Sequence, residues 1–261
     1  MVVPTAAVGF AVGVAGGLIG LGGAELRLPY LVGVLLVEPR AAVPLNLAVS
    51  LVTVLAALPV RLGASDPAAL LPWLAAAASF ALGAVVAAYA GAGWLGRIPD
   101  EALRRAIGGL LILLGLVLLL EAAVPLVPWG LLPPAVGIRL VSGLGSGLII
   151  GTISSLLGVA GGEVIIPTLV LGYGVPIELA GTLSLLISLP AITVGVLRHW
   201  RAGAFQDSAR SKFVILPLAF GALCGAPVGG WLAAAAPAGL IKVLLGGLLI
   251  WSAWKVFAKR A

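Results

Sequence analysis

Charge is what this chain has least of. Asp, Glu, Lys and Arg make up 9% of its 261 residues, where a soluble domain carries about a quarter. With 62% hydrophobic residues and a mean hydropathy of +1.24, an ordinary soluble fold is excluded. Cysteine is nearly absent: Cys224 alone permits neither an intramolecular disulfide nor a multi-cysteine metal centre. One histidine, His199, rules out a histidine cluster within the chain. No metal and no other cofactor is expected. No Gly-x-x-x-x-Gly-Lys-Ser/Thr motif occurs, so the chain is not expected to draw directly on ATP. An intramembrane enzyme would need a nucleophile, base or metal cluster, and one Cys, one His and sparse acids supply little of that. The start of the chain lacks a basic leader and a clear small-residue cleavage site, so Thr5 to Ile19 is expected to be structure rather than a signal peptide.

What is present is apolar length. Runs such as Leu103 to Ala123 are long enough to cross a hydrocarbon core of roughly 30 Å as helices, so the chain reads as a polytopic membrane protein. The net charge of +6 does not point to nucleic acid, because Lys and Arg sit mainly in short connections between apolar runs.

One stretch occurs twice. Gly20-Leu-Gly-Gly-Ala-Glu25-Leu-Arg27-Leu-Pro29 returns as Gly158-Val-Ala-Gly-Gly-Glu163-Val-Ile-Ile-Pro167, at an offset of 138. The same offset, without a gap, pairs Gly9 with Gly147, Gly13 with Gly151, Ser50 with Ser188, Gly83 with Gly221 and Gly91 with Gly229. The reading is one unit written twice: residues 1–124, a connector at 125–139 marked by Pro125, Pro128, Pro133 and Pro134, and residues 140–261. In the first unit the pieces at about Thr5–Ile19 and Leu26–Val37 are each short for a full span, and glycines separate them. They are expected to form a broken, re-entrant-like pair, tolerated at membrane depth only where protein or a water-filled cavity satisfies the backbone. Spans follow at about 41–60, 68–91 and 102–122. The second unit repeats this with a broken pair at about 140–159 and 164–173 and spans at about 178–197, 212–233 and 240–257.

Five segments per unit is an odd number, so the second unit must enter from the opposite side, as in inverted-repeat transporters. A cytoplasmic N-terminus places Arg40, Arg97, Arg104, Arg105, Arg198, Arg201, Arg210, Lys212, Lys255, Lys259 and Arg260 inside. Only Arg61, Arg139 and Lys242 then face outward, in accord with the positive-inside rule. Both termini are expected in the cytoplasm. The fold expected is an all-α membrane protein of two inverted-topology repeats, each a Gly-broken helix pair plus three transmembrane helices.

The duplicated tips hold the candidate site. Gly22 and Gly23, with Gly161 and Gly162, allow close approach and unusual backbone angles. A half-helix starting there turns free N–H groups toward an anion; the alternative is that such glycines only let helices pack. Glu25 and Glu163 are acids inside apolar segments, costly enough to suggest function. They either cap and stiffen their tips or titrate and couple proton movement. Arg27 has no counterpart, because position 165 is Ile. It is either an oxyanion ligand or a partner of Glu25 or of the interface. On the next span Asn46, Ser50 and Thr53 recur as Ser184, Ser188 and Ala191. The i, i+4 spacing puts Asn46 with Ser50, and Ser184 with Ser188, on one helix face, as pocket lining or as helix-to-helix hydrogen bonds. Thr152, Ser154 and Ser155 extend that lining. His199 reads as interfacial, and Trp94, Trp129, Trp200, Trp231, Trp251 and Trp254 as an interfacial belt.

At these residues the chain resembles the sulfite exporter TauE/SafE family, whose members carry a Gly-rich segment followed by an apolar stretch and Pro near the start of each half. The usual run of three glycines is broken here by Leu21 and Ala24 in the first copy and by Ala160 in the second. The resemblance implies movement of sulfite, organosulfonates or related small anions across the bacterial inner membrane, as a secondary transporter. The partners expected are a small oxyanion and the lipid bilayer, with no nucleic acid and with homodimer formation left open. A channel-like permease for another small anion or neutral solute is the rival reading.

Overall fold

The fold is that of a computed structural model, which describes residues 2–19, 22–124, 128, 130–205, 208–232 and 238–258. Gly20 and Leu21 of the first repeated stretch, Pro125 and Trp129 of the connector, and Lys259 and Arg260 of the tail lie outside the described residues. So do the side chains of Arg210, Lys212, Lys242 and Lys255. Among the described residues there are helices and no strands.

The first half runs through α1 (Val2–Ile19), α2 (Ala24–Pro29), α3 (Pro39–Ala64), a short α4 (Pro67–Leu70), α5 (Leu74–Trp94) and α6 (Asp100–Ala123). The second runs through α7 (Val136–Leu157), α8 (Gly162–Pro167), α9 (Ile177–Arg201), α10 (Ser208–Leu232) and α11 (Ala238–Ala258). Six helical stretches are long and apolar enough to cross a membrane: Pro39–Ala64, Pro67–Arg97, Asp100–Ala123, Val136–Leu157, Ile177–Arg201 and Phe213–Leu232. Their outward faces carry large apolar side chains, among them Leu82, Val86, Leu113, Leu116, Ile149, Leu216 and Phe220. The buried polar residues collect inside. That inversion suits lipid as the solvent.

The broken pairs differ from the expected two short halves. α7 begins at Val136 and is itself long enough to span. The short member is the second one: α2 and α8 have six residues each and continue as π-helical turns, Tyr30–Val34 and Thr168–Tyr173. The sequence explains both features. Gly22, Gly23, Gly158 and Gly161 adopt left-handed angles, φ +85°, +67°, +71° and +80°, which stop the preceding helix and open the next. Pro29 and Pro167 then have no N–H to return to the carbonyls of Glu25 and Glu163 four residues back. The ladder widens into π turns there.

The other paired glycines do what small residues do in bundles. α1 lies against α10 and α5 against α7, and the contacts of one crossing recur 138 residues on in the other. A Cβ on Gly13 would stand 2.8 Å from Ala222 Cα, and one on Gly151 would stand 2.6 Å from Ala84 Cα. Gly9 meets the carbonyl of Leu218, and its partner Gly147 meets that of Phe80. Trp94, Trp200, Trp231, Trp251 and Trp254 are exposed toward helix ends, where a membrane interface would be.

These crossings predict that Gly147→Val and Gly221→Val, whose side chains would strike the Phe80 and Ala6 carbonyls, each destabilise the fold by about 1–3 kcal/mol. Gly109→Ala, with nothing within 4 Å, should be neutral. Thermal melts of the detergent-purified variants, followed by size-exclusion fluorescence, check the difference.

Candidate site at the two glycine tips

The two tips meet beside the middle of α3. Arg27, one turn into α2, has no exposed surface. Its Nε donates to Asn46 Oδ1 (3.2 Å), Nη1 to Thr53 Oγ1 (2.9 Å), and Nη2 to Ser50 Oγ (2.7 Å) and the Gly22 carbonyl (3.0 Å). Positions 46, 50 and 53 share one face of α3, so three hydroxyl or amide acceptors stand in a row at the right pitch for a guanidinium fork. Four of its five N–H groups are thus engaged, and every acceptor is neutral. The described ion pairs, Arg40–Asp100 and Arg105–Glu101, lie at the surface. Arg27 therefore neither pairs with Glu25 through hydrogen bonds nor reaches an interface.

Asn46 ties the two tips together. Its Nδ2 donates to the Ala24 carbonyl at 2.7 Å and to the Gly158 carbonyl at 2.8 Å, one from each tip. Ser50 also donates to the Asn46 carbonyl, and Thr53 to that of Val49. In the second half the arrangement is simpler because Ile165 and Ala191 stand where Arg27 and Thr53 would be. The Ala160 carbonyl, which corresponds to that of Gly22, receives the Ser188 hydroxyl directly at 2.8 Å. Ser184 donates to the Gly181 carbonyl of its own helix. Ser154 donates to the Val159 carbonyl, while Thr152 and Ser155 bond within α7.

Glu25 and Glu163, far apart in sequence, are brought together. Both are buried, 2% and 7% exposed, and line one cleft between the tips. One oxygen on each, Oε1, has no hydrogen-bond partner. Both residues line a cleft with Ala15, Gly16, Gly23, Leu26, Leu118, Leu245 and Leu249. Its free volume, about 10 Å³, admits one water and no oxyanion. Gly161 and Gly162 form the buried start of α8 beside Glu163.

A second pairing was hidden in the same offset. Arg61 donates from Nε to the Gly17 carbonyl (3.1 Å) and from Nη2 to that of Leu18 (2.8 Å), capping the end of α1. His199, 138 residues on, bonds the Ser155 carbonyl near the end of α7 and is only 3% exposed. It is a buried cap rather than an interfacial residue. The signal that could have found it was its alignment with Arg61.

The hub predicts a graded series. Thr53→Val removes one of the four acceptors of Arg27, along with the hydroxyl's local bond to the Val49 carbonyl, and should destabilise by about 1 kcal/mol, whereas Arg27→Lys, whose ammonium cannot fork among four acceptors, should cost about 2–4 kcal/mol. Asn46→Ala, which strips a donor from both tips, should resemble Arg27→Lys rather than Thr53→Val. Thermal unfolding of the purified variants without added anion reads the order directly.

A family model described as sulfite exporter TauE/SafE matches residues 5–148 and 143–261, so the two matches run from residue 5 to the end of the chain. No curated protein and no solved structure matches it.

Proposed function

The chain belongs to the sulfite exporter TauE/SafE family, a family of membrane transporters, and from that premise we propose that it carries a small sulfur oxyanion, sulfite or an organosulfonate, by alternating access. The observation that carries this reading is the Arg27 guanidinium, fully buried where the two tips meet and held only by neutral acceptors. Hydrogen bonds from a guanidinium to a charged oxygen are roughly twice as strong as those to neutral ones. An oxyanion can therefore displace Ser50, Thr53 or the Gly22 carbonyl, whereas a neutral solute gains nothing by doing so.

In this reading the anion is bound by Arg27, Asn46 and Ser50 with the backbone of Gly22 and Gly23, and from the other half by Gly161, Gly162, Ser184 and Ser188. Arg27, Asn46 and Ser50 have no exposed surface in the arrangement described, so that arrangement is the closed one, and the tips part to admit substrate. The two halves act as inverted-topology repeats, residues 1–124 and 140–261, one rocking against the other. The repeated helix crossings support the internal two-fold relation, and each of them, α1 with α10 and α5 with α7, joins one half to the other. Both termini face the cytoplasm and the protein sits in the inner membrane, with a role in transport rather than as an enzyme. Proton coupling passes through Glu25 and Glu163.

The test is counterflow on purified protein in liposomes with sulfite, thiosulfate, sulfoacetate and acetate. Saturable flux of the sulfur oxyanions, accelerated by unlabelled anion on the far side, is the outcome expected. Flux that rises linearly without counterflow would instead mark a channel, and movement of none of these anions would remove the reading.

A further inference from the structure

Three ionisable side chains are buried at the meeting of the tips: Arg27, Glu25 and Glu163. Arg27 has no carboxylate among its hydrogen-bond partners, and Glu25 is the carboxyl whose charge acts on it through space. Glu163 lines the same apolar cleft as Glu25. Two carboxyls sharing one buried apolar site do not both stay ionised, so one of them holds a proton. Together the pair then carries one negative charge. That charge and the guanidinium cancel, which is how a cation ringed by neutral acceptors is tolerated in an apolar interior.

The surroundings add no obvious rival. α1 carries no ionisable residue. α11 presents Leu245 and Leu249 to the cleft, and α6 presents Leu118, with Glu121 one turn further along. Among the charged residues of α3, Arg61 is committed to the α1 carbonyls and Arg40 to Asp100 and the Ile98 carbonyl. On α9, Glu178 begins the helix, and His199 stands near Ser155 on α7, three residues before Gly158, with its buried Nε2 unpartnered among the described residues. Both acids line the cleft and each keeps a buried Oε1 without a partner, so one more proton can be accepted there from water.

We propose that Arg27, Glu25 and Glu163 form one charge-balanced unit, holding a single shared proton when empty and taking up a second when a monovalent oxyanion binds Arg27. This deepens the transport reading and rests on it. When the anion takes the guanidinium, the carboxyl pair loses its counter-charge. The remaining carboxylate then forms an O–H bond with a proton from solvent, and the loaded unit is again neutral. Transport of a monoanion is therefore electroneutral symport with one proton.

The experiment uses methanesulfonate, whose charge does not change near neutral pH, so any proton counted belongs to the protein. Calorimetry of the full-length protein in buffers of different ionisation enthalpy should show about one proton taken up per anion bound. Glu163→Gln should still take up one, because Glu25 remains to neutralise. The double variant Glu25→Gln, Glu163→Gln should take up none, and its flux in liposomes should become driven by membrane potential while wild-type flux ignores it. Anion binding without proton uptake in the wild type, or unchanged uptake in the double variant, overturns the proposal. Infrared spectra of the anion-free protein supply an independent arm. A buried carboxylic-acid carbonyl band present in the wild type and lost in the double variant supports the shared proton. Its absence in the wild type refutes the unit whether or not any anion binds, whereas failure of every anion to bind with the band present refutes the proton-coupled anion site while leaving the carboxyl pair intact.

Discussion

Breaking two helices inside a membrane leaves backbone carbonyls that no water can serve, and the interior polar residues of this protein are committed to them. Gly22 is served by Arg27, Ala24 and Gly158 by Asn46, Ala160 by Ser188, and Val159 by Ser154. The left-handed glycines make the breaks, the prolines prevent the next turn from repairing them, and donors from α2, α7 and α9, with Asn46 on the face of α3 serving both tips, make the break affordable. Everything else, from the glycine crossings to the lipid-facing leucines, holds that face against the two tips.

The two halves satisfy this constraint differently, and the difference is where function enters. A serine is enough for the Ala160 carbonyl. The first half uses a fully buried guanidinium for the equivalent task, with a far larger desolvation cost. A purely structural cap would not require that. A site that must recognise an anion and then release it has a use for a positive charge whose resting partners are weak, neutral and displaceable. The two carboxyls of the cleft close the logic, since a charge buried alone would be difficult to sustain.

Much of this was legible in the sequence. The apolar runs mark the spans, and the offset of 138 marks the tips, the helix crossings and the polar face of α3. Asn46, Ser50, Arg27 and the Gly22–Gly23 pair do come together, because periodicity on one helix and proximity to one turn are local properties. Other features depend on how the halves dock. No local pattern says that Glu25 and Glu163 meet at one cleft, that Asn46 reaches across to Gly158, or that His199 is buried. The π turns follow from prolines whose effect on the ladder has no periodic signature.

The central claim is that a buried positive charge at the paired tips recognises an anion as an anion. It is tested most directly by thermal unfolding of the purified protein against rising methanesulfonate or sulfite, with dimethyl sulfone as an uncharged analogue of similar shape. Ligand that binds only the folded state raises stability with the logarithm of its concentration above Kd. The account predicts such a rise for the sulfur oxyanions and none for the sulfone. Equal stabilisation by both, or by neither, would contradict it.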